Sequence, residues 1–143
     1  MPKRVSVYQR AGAIYVVTSH QAQAGFWVDD ADIVTLQEAV PAEVGKAVEG
    51  ALARSREGVP TPPPSADLSA PLLAAAGVAS WNTFIKTAKY VGARQNGEVI
   101  KVTPYKNLGS KDGFDPMQDK ATLLPSGDTT LGNAVVRALE VAE

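Results

Sequence analysis

The chain has 143 residues, 45% apolar and 20% charged, with 14 basic residues against 15 acidic and a formal net charge of −1. That length suits one domain with a real core, and the balance gives no basic excess pointing to nucleic acid or an anionic membrane. Cysteine is absent, which removes disulfides, thiolate metal sites and cysteine nucleophiles together and fits a reducing compartment.

The N-terminus, MPKRVSVYQR, is basic but runs into a strand-like pattern instead of an apolar h-region, so no signal peptide is expected. No window is apolar enough to span a bilayer, and the expected location is the cytoplasm. The first predicted element is a hairpin, SVYQR and AIYVVT, turning at Ala11-Gly12 and pairing Tyr8 with Tyr15 and Val7 with Val16. It is apolar on both faces, which predicts a place near the middle of a sheet or under a partner. A polar stretch follows, VTSHQAQAGFW, predicted as loop through Gly25-Phe26 and the acidic residues Asp29, Asp30 and Asp32. Val44, Ala47, Val48, Ala51 and Leu52 then form one apolar stripe at helical spacing, with Pro41 and Glu43 marking the helix start. Pro60, Pro62, Pro63 and Pro64 deny a helix and predict a stiff, extended connector. Short helices are expected around Pro71 to Ala76 and from Ser80 to Ala88, the second capped by Ser80. A second hairpin, YVGARQ and EVIKVT, turns at Asn96-Gly97, which would place Ala93 opposite Ile100 and Val91 opposite Val102. After Gly113-Phe114, Leu131, Ala134, Val135, Ala138 and Leu139 repeat the helical stripe behind Asp128, Thr129 and Thr130, any of which could cap.

These elements occur twice. Val-Thr, a polar stretch and Gly-Phe recur, Thr35-Leu36 matches Thr122-Leu123, and VGKAVEGAL matches LGNAVVRAL. Gly45 and Gly132 hold the same place at the edge of the stripe, where glycine costs about 1 kcal/mol against alanine; spending it twice predicts close approach of the helix backbone to a sheet. Each copy is therefore expected to be strand, turn, strand, polar loop, short strand, helix. The predicted fold is α+β: one domain over 1–143, with a mainly antiparallel sheet made by two pseudo-twofold ββ(β)α repeats (about 4–55 and 88–141), both helices on the sheet, and a joining segment 56–87.

The residues offer little chemistry. His20, the one histidine, falls in a predicted loop, where a solvated side chain is the ordinary role, and no G-x-S-x-G elbow surrounds any serine. One histidine and no cysteine leave zinc almost no ligands. Asp29, Asp30 and Asp32, and the looser set Asp112, Asp115 and Asp119, lack the calcium-loop spacing and are expected to be hydrated acidic loops. Gly109 to Gly113 (GSKDG) is short, lacks the G-K-[ST] order of a phosphate cradle and does not follow its strand-to-helix context. No catalytic residue, metal or cofactor is assigned. Phe26 and Phe114 match across the repeat and are expected to plug the core. Trp27 has no aromatic counterpart, so a partner contact and burial both remain open for it.

Ser80-Trp81, Phe84, Lys86, Val102-Thr103-Pro104, Gly113-Phe114, Leu131-Gly132-Asn133-Ala134-Val135 and Ala138-Leu139 resemble the immunity proteins of bacterial contact-dependent growth inhibition systems, over residues 80–140. The resemblance implies a non-enzymatic cytoplasmic protein. It would bind the C-terminal toxin domain of a large secreted effector, commonly a nuclease, as a one-to-one heterodimer and neutralise it by occlusion, with no membrane or direct nucleic-acid partner. It identifies no toxin-contacting residue. The loops flanking the Gly-Phe pairs differ between the copies, and Trp27, Asp29, Asp30, Asp32, Lys111, Asp112 and Asp115 are the expected contacts. Two alternatives are a nucleic-acid-binding adaptor using Arg94, Lys101, Lys106 and Lys111, and an enzyme with Tyr105, Asp112 and Asp115 acting between the repeats.

Overall fold

The computed structural model describes residues 2–63 and 67–143; Pro64, the last connector proline, lies outside the described residues. In chain order the elements are β1 (Lys3–Arg10), β2 (Ala13–Ala22), β3 (Trp27–Leu36), α1 (Pro41–Arg54), β4 (Glu57–Val59), α2 (Ala70–Ala76), α3 (Trp81–Ile85), β5 (Lys89–Asn96), β6 (Val99–Asn107), β7 (Phe114–Pro116), a 3₁₀ turn (Gln118–Lys120), β8 (Thr122–Pro125) and α4 (Leu131–Val141). The fold is α+β, an eight-stranded, mainly antiparallel sheet in the order β3-β2-β1-β5-β6, with β7 and β8 both on β6. Among the described strands only β4 runs parallel, to the end of β2.

The halves meet at β1 and β5, which pair antiparallel with Val7 opposite Val91 and Tyr8 opposite Tyr90. The offset that relates Gly12 to Gly97 maps the Val7–Val91 pair onto Ser6–Gly92, the next pair of the same ladder. The first hairpin has the expected register, Tyr8 to Tyr15 and Val7 to Val16, and Ala11 and Gly12 both take positive φ (53° and 83°), as a type I′ turn requires. The second hairpin turns one residue later than expected, at Gly97-Glu98. Ala93 therefore faces Val102, and Val91 faces Pro104. Only Gly97 of that pair has positive φ (60°), so the turn uses glycine first and needs no asparagine. The shift moves each partner by two residues, and side chains alternate with period two, so the same faces stay buried.

One face of the sheet carries Val5, Val7, Ile14, Val16, Val91, Ala93, Ile100 and Val102, closed over by the stripes of α1 and α4. The opposite face is covered at one end by α2 and α3. Leu72, Leu73 and Phe84 pack there on Tyr8, Tyr15, Val17 and Tyr90. Strand β2 is thus roofed on both sides, which accounts for its apolar residues on both faces.

Gly45 and Gly132 do not bring a helix to the sheet. They let α1 and α4 cross in backbone contact: a Cβ on Gly45 would lie 2.9 Å from the Gly132 nitrogen, and one on Gly132 would overlap the Pro41 carbonyl, 2.7 Å from its carbon. Pro41 opens α1 at a position where a missing N–H costs nothing, Ser80 accepts from the Thr83 N–H at 3.2 Å to cap α3, and Gly77 ends α2 in the left-handed region. Before α4, Asp128 accepts from the N–H and hydroxyl of Thr130 at 2.7 and 2.6 Å, which forms the helix entry without a side-chain cap.

The stretches expected as loops are largely strand. Ser19 and His20 lie on β2, and Trp27, Asp29, Asp30 and Asp32 on β3. Polar residues can occupy the end of β2 because the buried ones find partners. Thr18 donates to the Ala51 carbonyl at 3.0 Å, and Ser55 donates to the Ser19 carbonyl at 2.5 Å, locking the end of α1 onto β2. Far from being solvated, His20 is buried: its Nδ1 accepts the Arg56 N–H at 3.1 Å and its Nε2 lies 3.0 Å from Asp30 Oδ2. Phe26 is no core plug either. It is 46% exposed at the β2–β3 turn, whereas Phe114 packs into the aromatic cluster.

Candidate functional site

Among the described residues, helices α2 and α3 leave the other end of their sheet face uncovered. By alternation from Tyr8, Ser6 and Arg4 of β1 look out on that face, joined by Tyr90, Gly92 and Arg94 of β5 and Lys101, Thr103 and Tyr105 of β6. Trp27 and Asp29 of β3 face the same way, since they pair with Gln21 and Ser19. Together these side chains line a groove of about 360 Å³ floored by Tyr8, Tyr90 and Tyr105, with Phe114 and Leu68 on its rim, and a smaller hollow of about 130 Å³ between Arg94, Lys101, Thr103 and Gln118.

The floor is rigid. Tyr8 stacks on Tyr90 with ring centres 4.9 Å apart, and Tyr105 and Phe114 lie 4.5 and 5.0 Å from Tyr90. The Tyr90 hydroxyl is 3.0 Å from Ser6 Oγ and accepts from Arg4 at 3.4 Å. Gly92 makes room for Tyr105, whose ring would stand 3.1 Å from a Cβ there. The guanidinium carbons of Arg4 and Arg94 lie 5.9 and 5.7 Å from the centre of the Trp27 ring, so the indole serves both cations.

Asp29 is the acid of the groove. Its surface is open to water, yet protein atoms crowd the carboxylate. This partial burial raises its pKa, outweighing the Ser19 hydrogen bond at 2.8 Å and the Arg4 charge. Burial, then the neighbouring Tyr90, also raises the Tyr105 phenol. Asp30, one residue on, points to the opposite side. Burial alone would raise its carboxyl, but the hydrogen bonds from His20 and the Asp32 N–H, with the charges of His20 and Arg54, hold it below the usual carboxylate range.

Of the predicted contacts, the groove gathers Trp27 and Asp29. Asp30 joins the His20 clamp, and Asp32 is exposed on a bulge where residues 30–32 stand against Thr18. Lys111 and Asp112 are exposed in the turn between β6 and β7, and Asp115 is exposed on β7 opposite Lys106. Tyr105 lines the groove without Asp112 or Asp115, so the three residues suggested for catalysis do not converge. Sequence reasoning passed over Arg4, Ser6 and Tyr90. The signal was the alternation Arg4-Ser6-Tyr8 against Val5-Val7, which marks one polar and one apolar face of β1. Among the described residues no three metal-ligating side chains cluster, and no helix is long and apolar enough to cross a membrane.

No protein-family description and no curated protein matches the chain in sequence. Solved structures do match its fold. A protein of unknown function from Neisseria meningitidis superposes with a TM-score of 0.78 at 17% identity, over 100% of this chain and 96% of the other. A chain of a CdiA-CT/CdiI toxin and immunity complex from Yersinia pseudotuberculosis superposes with a TM-score of 0.77 at 16% identity, over 100% and 98%.

Proposed function

We propose that this chain is an immunity protein: it binds the C-terminal toxin domain of a contact-dependent growth inhibition effector one-to-one and neutralises it by occlusion. The reading takes the chain as a single unit of two repeats and as a cytoplasmic protein that catalyses nothing. One observation carries it. In a fold shared end to end with a chain of a toxin and immunity complex, a groove mixing aromatic, cationic and acidic side chains is left uncovered by the described residues at one end of a sheet face that helices otherwise close. Aromatic and arginine side chains on a preformed surface are what protein interfaces concentrate at their centres. A nuclease is the toxin class in view.

The test is calorimetric titration of the purified chain with the C-terminal domain of the effector encoded beside its gene, alongside an assay of that domain's toxicity. Saturable one-to-one association and loss of toxicity are expected. Absence of association refutes the reading.

A further inference from the structure

Arg4 stands directly opposite Arg94 across β1 and β5, and Arg94 directly opposite Lys101 across β5 and β6. Three cations therefore form one row over three adjacent strands, on the open end of the sheet face. Like charges in directly opposed positions repel and destabilise the ladder they sit on. Within the described residues none of the three has a carboxylate within ion-pairing distance, since the one such pair is His20 with Asp30. Lys101 is spent on a neutral acceptor, the Gln118 side chain at 2.6 Å, and the two arginines on the Trp27 ring and the Tyr90 hydroxyl. Those contacts orient the guanidinium groups without neutralising them, and Asp29, whose charge acts on Arg4, stands beyond ion-pairing distance.

We propose that this row is the receptor for a carboxylate-bearing segment of the partner protein, an acidic strand or loop laid across β1, β5 and β6; this deepens the toxin-binding reading and rests on it. Arg4 and Arg94, on opposed positions of neighbouring strands and against one indole, bring two guanidinium groups to one place, and a guanidinium fork can take a carboxylate with two hydrogen bonds. Asp29 at the groove end of the row favours a polypeptide over a nucleic acid. Its carboxylate would repel a continuous phosphate backbone, whereas a peptide can set a backbone N–H or a basic side chain against it. The smaller hollow beside Lys101, bounded by Thr103 and Gln118, extends the same polar lining past the last cation.

The test titrates the full chain with an oligoglutamate peptide about ten residues long at about 50 mM salt, with an oligothymidylate of the same length as the competing chemistry. Oligoglutamate should bind saturably, weaken as salt rises, and bind more tightly than the nucleotide. Arg94→Gln and, separately, Lys101→Gln should each lower its affinity about tenfold, the scale of a close charge pair, with the circular dichroism spectrum unchanged. Oligoglutamate that fails to bind, binds both variants as well as the parent, or is outcompeted by oligothymidylate overturns the proposal. The outcomes separate from those of the toxin titration. A toxin that binds parent and variants alike leaves immunity standing and removes the cation row; oligoglutamate binding without toxin binding does the reverse.

Discussion

Replacing Gly132 with alanine tests the crossing that holds the two long helices together. The added Cβ would sit 2.7 Å from the Pro41 carbonyl carbon, where ordinary contact begins at 3.4 Å, and would overlap the carbonyl oxygen outright. The obstacle is backbone, so no rotamer change relieves it. The carbon alone asks for about 0.7 Å and the nearer oxygen for more, so the helices must part by over about 1 Å, and the stripe residues of α1 and α4 move with them. Overpacking of this kind costs about 1–3 kcal/mol when side chains give way, and a fixed carbonyl places this site at the upper end. Alanine's better helix propensity returns about 1 kcal/mol, leaving a net loss of about 2 kcal/mol. At roughly 3 °C per kcal/mol for a domain of this size, Tm should fall by about 6 °C. The assay is urea and thermal unfolding followed by circular dichroism. A variant as stable as the parent would refute backbone contact between the helices.

Gly50 supplies the matched control. It lies in α1 with nothing within 4 Å of its would-be Cβ, so Gly50→Ala should stabilise by up to about 1 kcal/mol in the same unfolding experiments. Asp30 gives a pH dependence. Its folded pKa is depressed, so its contribution is complete above the unfolded value near 3.9 and is lost as pH falls through the lower folded value. Asp30→Asn should be less stable than the parent by about 0.5 kcal/mol at neutral pH, and urea midpoints of the two should converge in acid. Asp29 has the opposite sign: a raised carboxyl opposes folding once it ionises. Asp29→Asn should leave stability within about 0.5 kcal/mol of the parent while weakening toxin binding about tenfold. Equal loss of stability and binding would make Asp29 a structural residue.

The α+β architecture was legible because its signals are local. Alternation in SVYQR and YVGARQ, the glycine turns, and the two helical stripes each act over a few residues. Even the misplaced second turn preserved which residues are buried. The polar strand ends were not legible. Thr18, Ser19 and His20 look like loop because their partners, Ala51, Ser55 and Arg56, lie on another element. Gly45 and Gly132 announced a close approach without naming the surface approached. The acidic residues of β3 looked like one patch, but a strand sends neighbours to opposite faces, so Asp29 and Asp30 part company. The groove itself exists only once β1, β3, β5 and β6 are side by side, and no single segment carries its pattern.

The meeting of β1 with β5 also sets a schedule for synthesis. The partner of Tyr8 is Tyr90, which leaves the ribosome about 80 residues later, roughly 4–16 s at ordinary elongation rates. Throughout that interval the nascent first half holds an unpaired strand edge and a helix still waiting for its mate at Gly45. An open edge of this kind invites pairing with neighbouring chains, so the hazardous moment for this protein falls during its own translation, before the second half arrives to close it.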